Sequence, residues 1–244
     1  MLTNTIQRDN TMQLVEVRKN QTGSGLLIEN DGHILNDSDS LMQIHEDINN
    51  NMKLVVPDRL LVNAIFQKYG IKNANGRIYP EDILKREVER YIKDKVNTHS
   101  AIGSLDHPAS STLSGHDVSH VITSLEWDNR TLIGQLEIHT TPGFRRYGVC
   151  STSGDLVANM LINGIRIGVS SRAVGTVEDR FGQLVVGDDL ELICWDVVCE
   201  PSTPGAYISD SMENLGQFME ADNTKNGKMT VEEKFSRLNR ILAD

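Results

Sequence analysis

The stretch Gly164-Ile165-Arg166-Ile167-Gly168-Val169-Ser170-Ser171-Arg172 follows a short helical pattern, enters a β-branched run, and then places two serines and an arginine where a strand should stay apolar. Side chains alternate between the faces of a regular strand. Ile165, Ile167, Val169, Ser171 and Ala173 therefore share one face, expected to be core, while Arg166, Gly168, Ser170 and Arg172 share the other. Ser170 falls on the polar face beside Arg172 and the small Gly168, and is the better candidate nucleophile of the two serines. A bulge would exchange the assignments. The plain alternative is two serines on a half-exposed strand with no chemistry.

Working outward, 244 residues that are 39% hydrophobic and 24% charged suit one sizeable soluble domain with extensions, or two small domains. No apolar run approaches the length of a membrane span, and Met1-Leu2-Thr3-Asn4-Thr5-Ile6-Gln7-Arg8 holds no apolar signal region. Cys150, Cys194 and Cys199 lack metal-type spacing and fit a reducing compartment, so an intracellular location is expected. A net charge of −10 without clustered Lys and Arg argues against a general nucleic-acid binder and is compatible with basic partners.

Residues 1–52 read as strand-like pieces at 14–17 and 26–28 separated by Asn, Asp, Gly and Ser, and are expected to be a loosely held N-terminal extension. Residues 60–66 fit either strand or helix. In Asn73-Ala74-Asn75-Gly76-Arg77-Ile78-Tyr79-Pro80, Asn-Gly marks a tight turn and Pro80 stands before a helix whose first turn carries Glu81 and Asp82. Leu84, Val88, Tyr91 and Ile92 make residues 81–94 an amphipathic helix. Residues 101–105 form a short strand closed by Asp106-His107-Pro108, and 118–127 with 131–138 form a hairpin across Asp128-Asn129-Arg130. After a loop over 141–152, Leu156, Val157, Met160 and Leu161 mark a helix that stops at Gly164. The serine strand turns near 179–182 and leads to 190–199, a strand apolar on both faces and ended by Pro201 and Pro204. The tail from 209 onward holds two helical patterns around a polar linker. With no βαβ alternation, the class is α+β: a mainly antiparallel sheet or β-barrel with helices around it.

Within the strand over 190–199, Asp196 stands among Trp195, Val197 and Val198, where an ionised carboxylate needs a partner. An arginine would make this a structural ion pair. A histidine would complete an acid, base and nucleophile set, because serine becomes nucleophilic when an imidazole takes its proton and a third group orients that imidazole. The candidate bases are His107, His116, His120 and His139. His107 ends a strand beside a proline and leads narrowly; His120 reads as a satisfied strand residue, His116 as a solvated loop residue, His139 as a surface residue at the hairpin's end.

Asn75-Gly76-Arg77-Ile78-Tyr79-Pro80, Leu105-Asp106-His107-Pro108, Gly168-Val169-Ser170-Ser171-Arg172 and Trp195-Asp196-Val197-Val198 with Pro201-Ser202-Thr203-Pro204-Gly205-Ala206 resemble, in order and spacing, the prohead core proteases of large tailed phages. These are head-maturation serine peptidases related in fold to the herpesvirus assemblins. The resemblance covers about residues 53–207 and implies a herpesvirus-protease-like β-barrel with surrounding helices and a protease domain over 53–208, between an extension over 1–52 and a helical tail over 209–244. It implies an endopeptidase that cuts scaffold and capsid proteins inside the immature head in the host cytoplasm, needing no cofactor, metal, nucleic acid or membrane; a homo-oligomer is left open. His107 and Ser170 match the family's base and nucleophile, Asp196 its acidic member, and Ser171 with Arg172, or the backbone N–H beside Arg172, its oxyanion and substrate-binding region. The chain departs from the family at Ala173, where glycine is usual, and in its longer loop over 141–152 with Arg145, Arg146 and Cys150.

The resemblance also implies cleavage after Glu preceded two positions earlier by Leu or Ile. Leu14-Val15-Glu16, Leu27-Ile28-Glu29 and Ile44-His45-Glu46 fit, all within the extension, so self-trimming there is expected. Residues 222–233 resemble an EF-hand calcium loop with Thr224 in a ligand position, a pattern that a turn and a helix capped by Thr230 also explains. The competing functions are a metal-dependent hydrolase using Asp106, His107, His116 and His120, and a non-catalytic capsid-assembly protein of the same fold.

Overall fold

The computed structural model describes residues 15–35, 56, 58–108 and 110–199. The chain divides into units of residues 1–204 and 205–244. The second unit, where the helical tail and the EF-hand-like loop were expected, lies outside the described residues, as does Ile44-His45-Glu46.

The described chain runs β1 (Gly23–Leu35), β2 (Leu60–Lys68), β3 (Arg77–Ile78), α1 (Glu81–Tyr91), β4 (Ile102–Ser104), β5 (Val118–Asp128), β6 (Thr131–Ile138), α2 (Pro142–Tyr147), α3 (Ser153–Ile162), β7 (Gly168–Arg180), β8 (Gln183–Val186) and β9 (Glu191–Val198). The strands pair in the order β3-β8-β7-β1-β2-β6-β5-β4, with β9 branching off β7; all ladders are antiparallel except β3 with β8. The expected α+β class and antiparallel sheet are present, but these ladders do not close a barrel. β4 is three residues long, and from its end only a single bridge, Leu105 to Val197, reaches β9.

Local sequence accounts for most elements. Asp128 pairs with Thr131, so Asn129, at φ 52°, and Arg130 form the two-residue turn between β5 and β6. Helix α1 buries Leu84, Val88 and Tyr91 of the spacing read from the sequence, together with Ile83, and passes into a π-helical turn at Ile92–Val96 that begins with the half-buried Ile92. Helix α3 carries a capping box between Thr152 and Asp155 and gives way to Gly164 at φ 69°. In the expected loop over 141–152, helix α2 forms instead: the Thr141 side chain caps it, Pro142 opens it, and Phe144 is fully buried.

The larger difference lies in the N-terminal region. Residues 1–52 were expected outside the protease domain, yet β1 is an interior strand, paired with β7 from Gly23 to His33 and with β2 from His33 to Leu35. Leu26 and Leu27 are core residues, and Leu27-Ile28-Glu29 lies in the sheet rather than in loose chain. Glu29 interrupts the apolar pattern but is fully buried, its carboxylate met by Asn73, Asn75, Arg77 and Tyr79. A buried carboxylate is tolerated when paired and hydrogen-bonded in this way.

Strand β9 is fixed from both sides. Trp195 packs edge-on against Phe66 and Tyr91, with ring centroids 5.4 and 5.1 Å away. Opposite Arg172 and Ala173 the register skips Ile193, and the Leu192 N–H, displaced by this bulge, donates to Glu87 Oε2 on α1 at 3.1 Å. The bulged residue lies three positions before Asp196 and sets the strand's approach to the site.

Candidate active site

Ser170 on β7 and Asp196 on β9 are direct partners in the antiparallel ladder, so their side chains share a face. Arg172, two residues on, lies on the same face, as the alternation predicts. That face is not half-exposed: Ser170, Arg172 and Asp196 are all fully buried. Ile165, expected in the core, lies before the strand begins and is 49% exposed.

His107 comes from the chain that leaves β4. Asp106 adopts φ 61°, and its N–H donates to the Val197 carbonyl at 2.7 Å, which anchors this chain along β9. β4 comes this close because residue 103 is glycine: a Cβ there would stand 2.1 Å from the Trp195 carbonyl oxygen and 2.5 Å from His120 Cε1. The imidazole then spans the two buried groups, with Nδ1 2.8 Å from Asp196 Oδ2 and Nε2 in hydrogen-bond contact with Ser170 Oγ. Its side chain is 12% exposed, against none for Asp196.

Asp196 is held from several directions. Oδ1 accepts from the Ser104 N–H at 2.9 Å and from Arg172 Nη2 at 3.1 Å. Arg172 Nε lies 3.0 Å from Oδ2 as an ion-pair contact without hydrogen-bond alignment. Burial pushes the carboxyl pKa up, but the bond from His107, the Arg172 charge and the Ser104 N–H outweigh it and hold the group below its usual range. An ionised Asp196 makes Nδ1 of His107 the donor, which leaves Nε2 free to receive the Ser170 proton. Cys194, which donates toward Asp196 Oδ1 at 3.5 Å, is pushed far up by burial and stays a thiol.

Of the two groups expected in the oxyanion region, the Arg172 side chain and the backbone N–H beside it, the side chain is engaged elsewhere. Its guanidinium is committed to Asp196, to the Cys194 sulfur at 3.2 Å and to the Ser110 carbonyl at 2.6 Å. Both partners foreseen for Asp196, an arginine and a histidine, are therefore present at once. The Ser171 hydroxyl is buried on the opposite face without a hydrogen-bond partner.

Among the other histidines, His116 and His139 are exposed and His120 is fully buried. Among the described residues no group of three or more His, Cys, Asp or Glu side chains is arranged to hold a metal, so the set Asp106, His107, His116 and His120 does not converge. His120 Nε2 lies 3.2 Å from the Trp195 carbonyl and Nδ1 2.9 Å from Ser119 Oγ, an arrangement that supports β9 beside Asp196.

Burial lowers the His120 pKa from 6.5 to about 4, more than the Asp196 charge raises it. The unfolded chain binds this proton more readily, so the stabilisation is complete above pH 6.5 and is lost as pH falls toward 4. Between pH 7 and 4.5 the urea midpoint should fall by the equivalent of about 2–3 kcal/mol on this account, and His120→Gln should flatten that slope. An equal slope in the variant would show that the acid sensitivity arises elsewhere.

Sequence reasoning missed Ser104, whose role is a main-chain N–H, and Glu29, whose main-chain carbonyl accepts a hydrogen bond from Ser170 Oγ. The first leaves no side-chain signal. The second was hidden by the reading of residues 1–52 as extension.

With this geometry in hand, comparisons with known proteins agree on one family. A family model described as prohead core protein serine protease matches residues 20–214. The chain is 29% identical over 167 residues to the prohead core protein protease of Enterobacteria phage T4, covering 68% of this chain and 75% of that one. It superposes on the structure of the bacteriophage T4 capsid assembly protease, gp21, with a TM-score of 0.58 and 25% identity, over 72% of this chain and 98% of that chain.

Proposed function

This chain belongs to the prohead core protein serine protease family, and from that premise we propose that it is a serine endopeptidase that cuts scaffold and capsid proteins, and itself, inside the immature phage head in the host cytoplasm. Ser170 is the nucleophile, His107 the general base and then acid, and Asp196 the group that orients His107 and stabilises its charged form. The observation that carries this reading is the imidazole spanning Ser170 Oγ and Asp196 Oδ2.

In the reaction, His107 Nε2 takes the Ser170 proton as Oγ adds to the scissile carbonyl, then returns it to the leaving amine. Water repeats the sequence on the acyl-enzyme. Main-chain N–H groups at Ser171 and Arg172 are the proposed oxyanion donors, while the Arg172 side chain holds Asp196. The catalytic unit takes in β1, so its N-terminal boundary lies before Gly23 rather than at residue 53.

The test is co-expression with the scaffold and capsid proteins of the same phage, wild type beside Ser170→Ala, read by mass spectrometry of fragment ends. Cleavage that needs Ser170 and resists chelators supports the proposal. Cleavage that survives Ser170→Ala, or that a chelator abolishes, refutes it in favour of the metal-dependent reading; a wild type that cuts nothing favours the non-catalytic capsid-assembly reading.

A further inference from the structure

Apart from Val15, the large hydrophobic side chains most exposed among the described residues gather in two places: Phe181, in the turn between β7 and β8, and Tyr147, Val149, Leu156 and Ile165, on the segment that carries α2 and α3. Phe181 stands where the backbone favours another residue. Arg180 pairs with Gln183, so Phe181 and Gly182 are the two residues of the turn, at φ 56° and 79°. Positive φ at both positions is the hairpin turn that asparagine followed by glycine adopts with least strain, and a bulky side chain is a poor occupant of the first position. In the β5–β6 turn the chain does place asparagine there, Asn129 at φ 52°. At 181 it keeps an aromatic ring instead, in a strained conformation and wholly in solvent.

The ring is also carried clear of the sheet. β1 meets β7 only as far as Val177 and β9 only as far as Val174, while β3 meets β8 at Leu184 and Val185. Residues 178–183 are therefore a two-stranded arm, exposed at every position. Its shape is held by the Asp179 carboxylate, which accepts the Gly182 N–H at 2.7 Å, and by the Arg180–Glu178 ion pair. Its charges are Glu178, Asp179 and Arg180, and the next turn adds exposed Asp188 and Asp189, the latter bonded to Thr176 at the arm's base. That surface is acidic. The α2–α3 segment is the reverse: its surface charges are Arg145, which pairs with Asp58, Arg146 and Arg166, and its one carboxylate, Asp155, is buried among donors that tie the starts of the two helices together.

The two surfaces cannot meet within one molecule. Ile165 stands three residues before β7 and Phe181 directly after it, and 13 residues of strand at about 3.3 Å each hold them roughly 40 Å apart. We propose that the arm of one copy docks on the α2–α3 segment of a second copy, with Phe181 packing among Tyr147, Val149 and Leu156 and with Glu178 and Asp179 facing Arg146 at the rim. An aromatic anchor supplies most of the binding energy of such a contact, and the surrounding opposite charges fix its register. Because the two surfaces differ, each contact leaves one arm and one segment unfilled at the ends of the assembly. Copies therefore join head to tail, into a ring or a filament rather than a two-fold dimer. This proposal is independent of the peptidase reading and applies equally to a non-catalytic capsid-assembly protein.

The test is sedimentation velocity on the full chain carrying Ser170→Ala, which keeps it intact, over about 1 to 100 μM. This parent should associate reversibly, its sedimentation coefficient rising across that range. Phe181→Asn should weaken the association about 30-fold or more while raising Tm by about 2–4 °C, because it removes the anchor and relieves the turn. Tyr147→Ser combined with Leu156→Gln, both at exposed positions, should block association from the other side without lowering Tm by more than about 2 °C. Mixed in equal amounts, the two variants should form a one-to-one dimer and nothing larger, since the intact segment lies on one chain and the intact arm on the other. A parent that stays monomeric at about 100 μM, a Phe181→Asn variant that associates as tightly as the parent, or folded variants that fail to pair when mixed would each overturn the proposal. A monomeric parent that binds the scaffold protein through Phe181 would overturn it too, and would give the arm to that partner instead.

Discussion

Ser170→Ala and His107→Ala should each lower kcat on a scaffold-derived peptide by about 10⁴- to 10⁶-fold, and the double variant should be no slower than either single one. The reason is the shared proton. Without His107, the Ser170 hydroxyl keeps its contact with the Glu29 carbonyl, which accepts a hydrogen bond but is far too weak a base to hold the proton during attack. Without Ser170, the oriented imidazole has no nucleophile to serve. Each alanine therefore removes the same step, and the second has nothing left to remove. Single-turnover kinetics with the two variants and their combination give the comparison directly. Independent losses that multiplied in the double variant would mean that His107 and Ser170 do not act as a pair. The non-catalytic alternative fails as soon as the wild type turns over at all.

Much of this site is legible in the sequence because its side chains sit in local anomalies. Ser170 and Arg172 are polar groups inside a β-branched strand, Asp196 is an acid between Trp195 and Val197, and His107 lies at a strand end fixed by a proline. Period-2 alternation placed Ser170 and Arg172 together, and the ladder partner of Ser170 proves to be Asp196. What local pattern does not encode is compensation at long range. Glu29, Asn30 and Asp31 read as a break in β1 because the donors that satisfy Glu29 come from residues 73–79, some 44 to 50 positions on. The Leu26-Leu27-Ile28 run ahead of Glu29, and an Asn-rich turn containing an arginine, were the available signals. Barrel closure failed for a related reason: it depends on how far β4 extends toward β9, and three residues of strand carry no periodicity to measure. The bonds from the Arg172 guanidinium to Asp196 and the Ser110 carbonyl were not legible because alternation gives the face of a side chain and not its partner, and a guanidinium reaches several groups at once.

Replacing Asp196 separates what this carboxylate does for the fold from what it does for the chemistry. Asp196→Ala leaves the fully buried Arg172 guanidinium with only a thiol and loop carbonyls, and should destabilise the protein by about 3–5 kcal/mol. Asp196→Asn keeps the shape but removes the charge that holds His107 Nδ1 as a donor, and should lower kcat about 10⁴-fold with a smaller loss of stability. The wild-type carboxyl is held below 3.8, so its contribution is complete above that pH and is lost as pH falls through the lower folded value. Both variants should therefore lack this part of the acid unfolding limb. Adding Arg172→Met to Asp196→Asn removes the stranded cation and should recover part of the stability, because an apolar replacement of a buried ion pair is often neutral or better. Activity should not return with it, since the orientation of His107 is still missing. A double variant that regained both stability and turnover would show that Asp196 serves only to neutralise Arg172, and the imidazole would then act without an acid behind it.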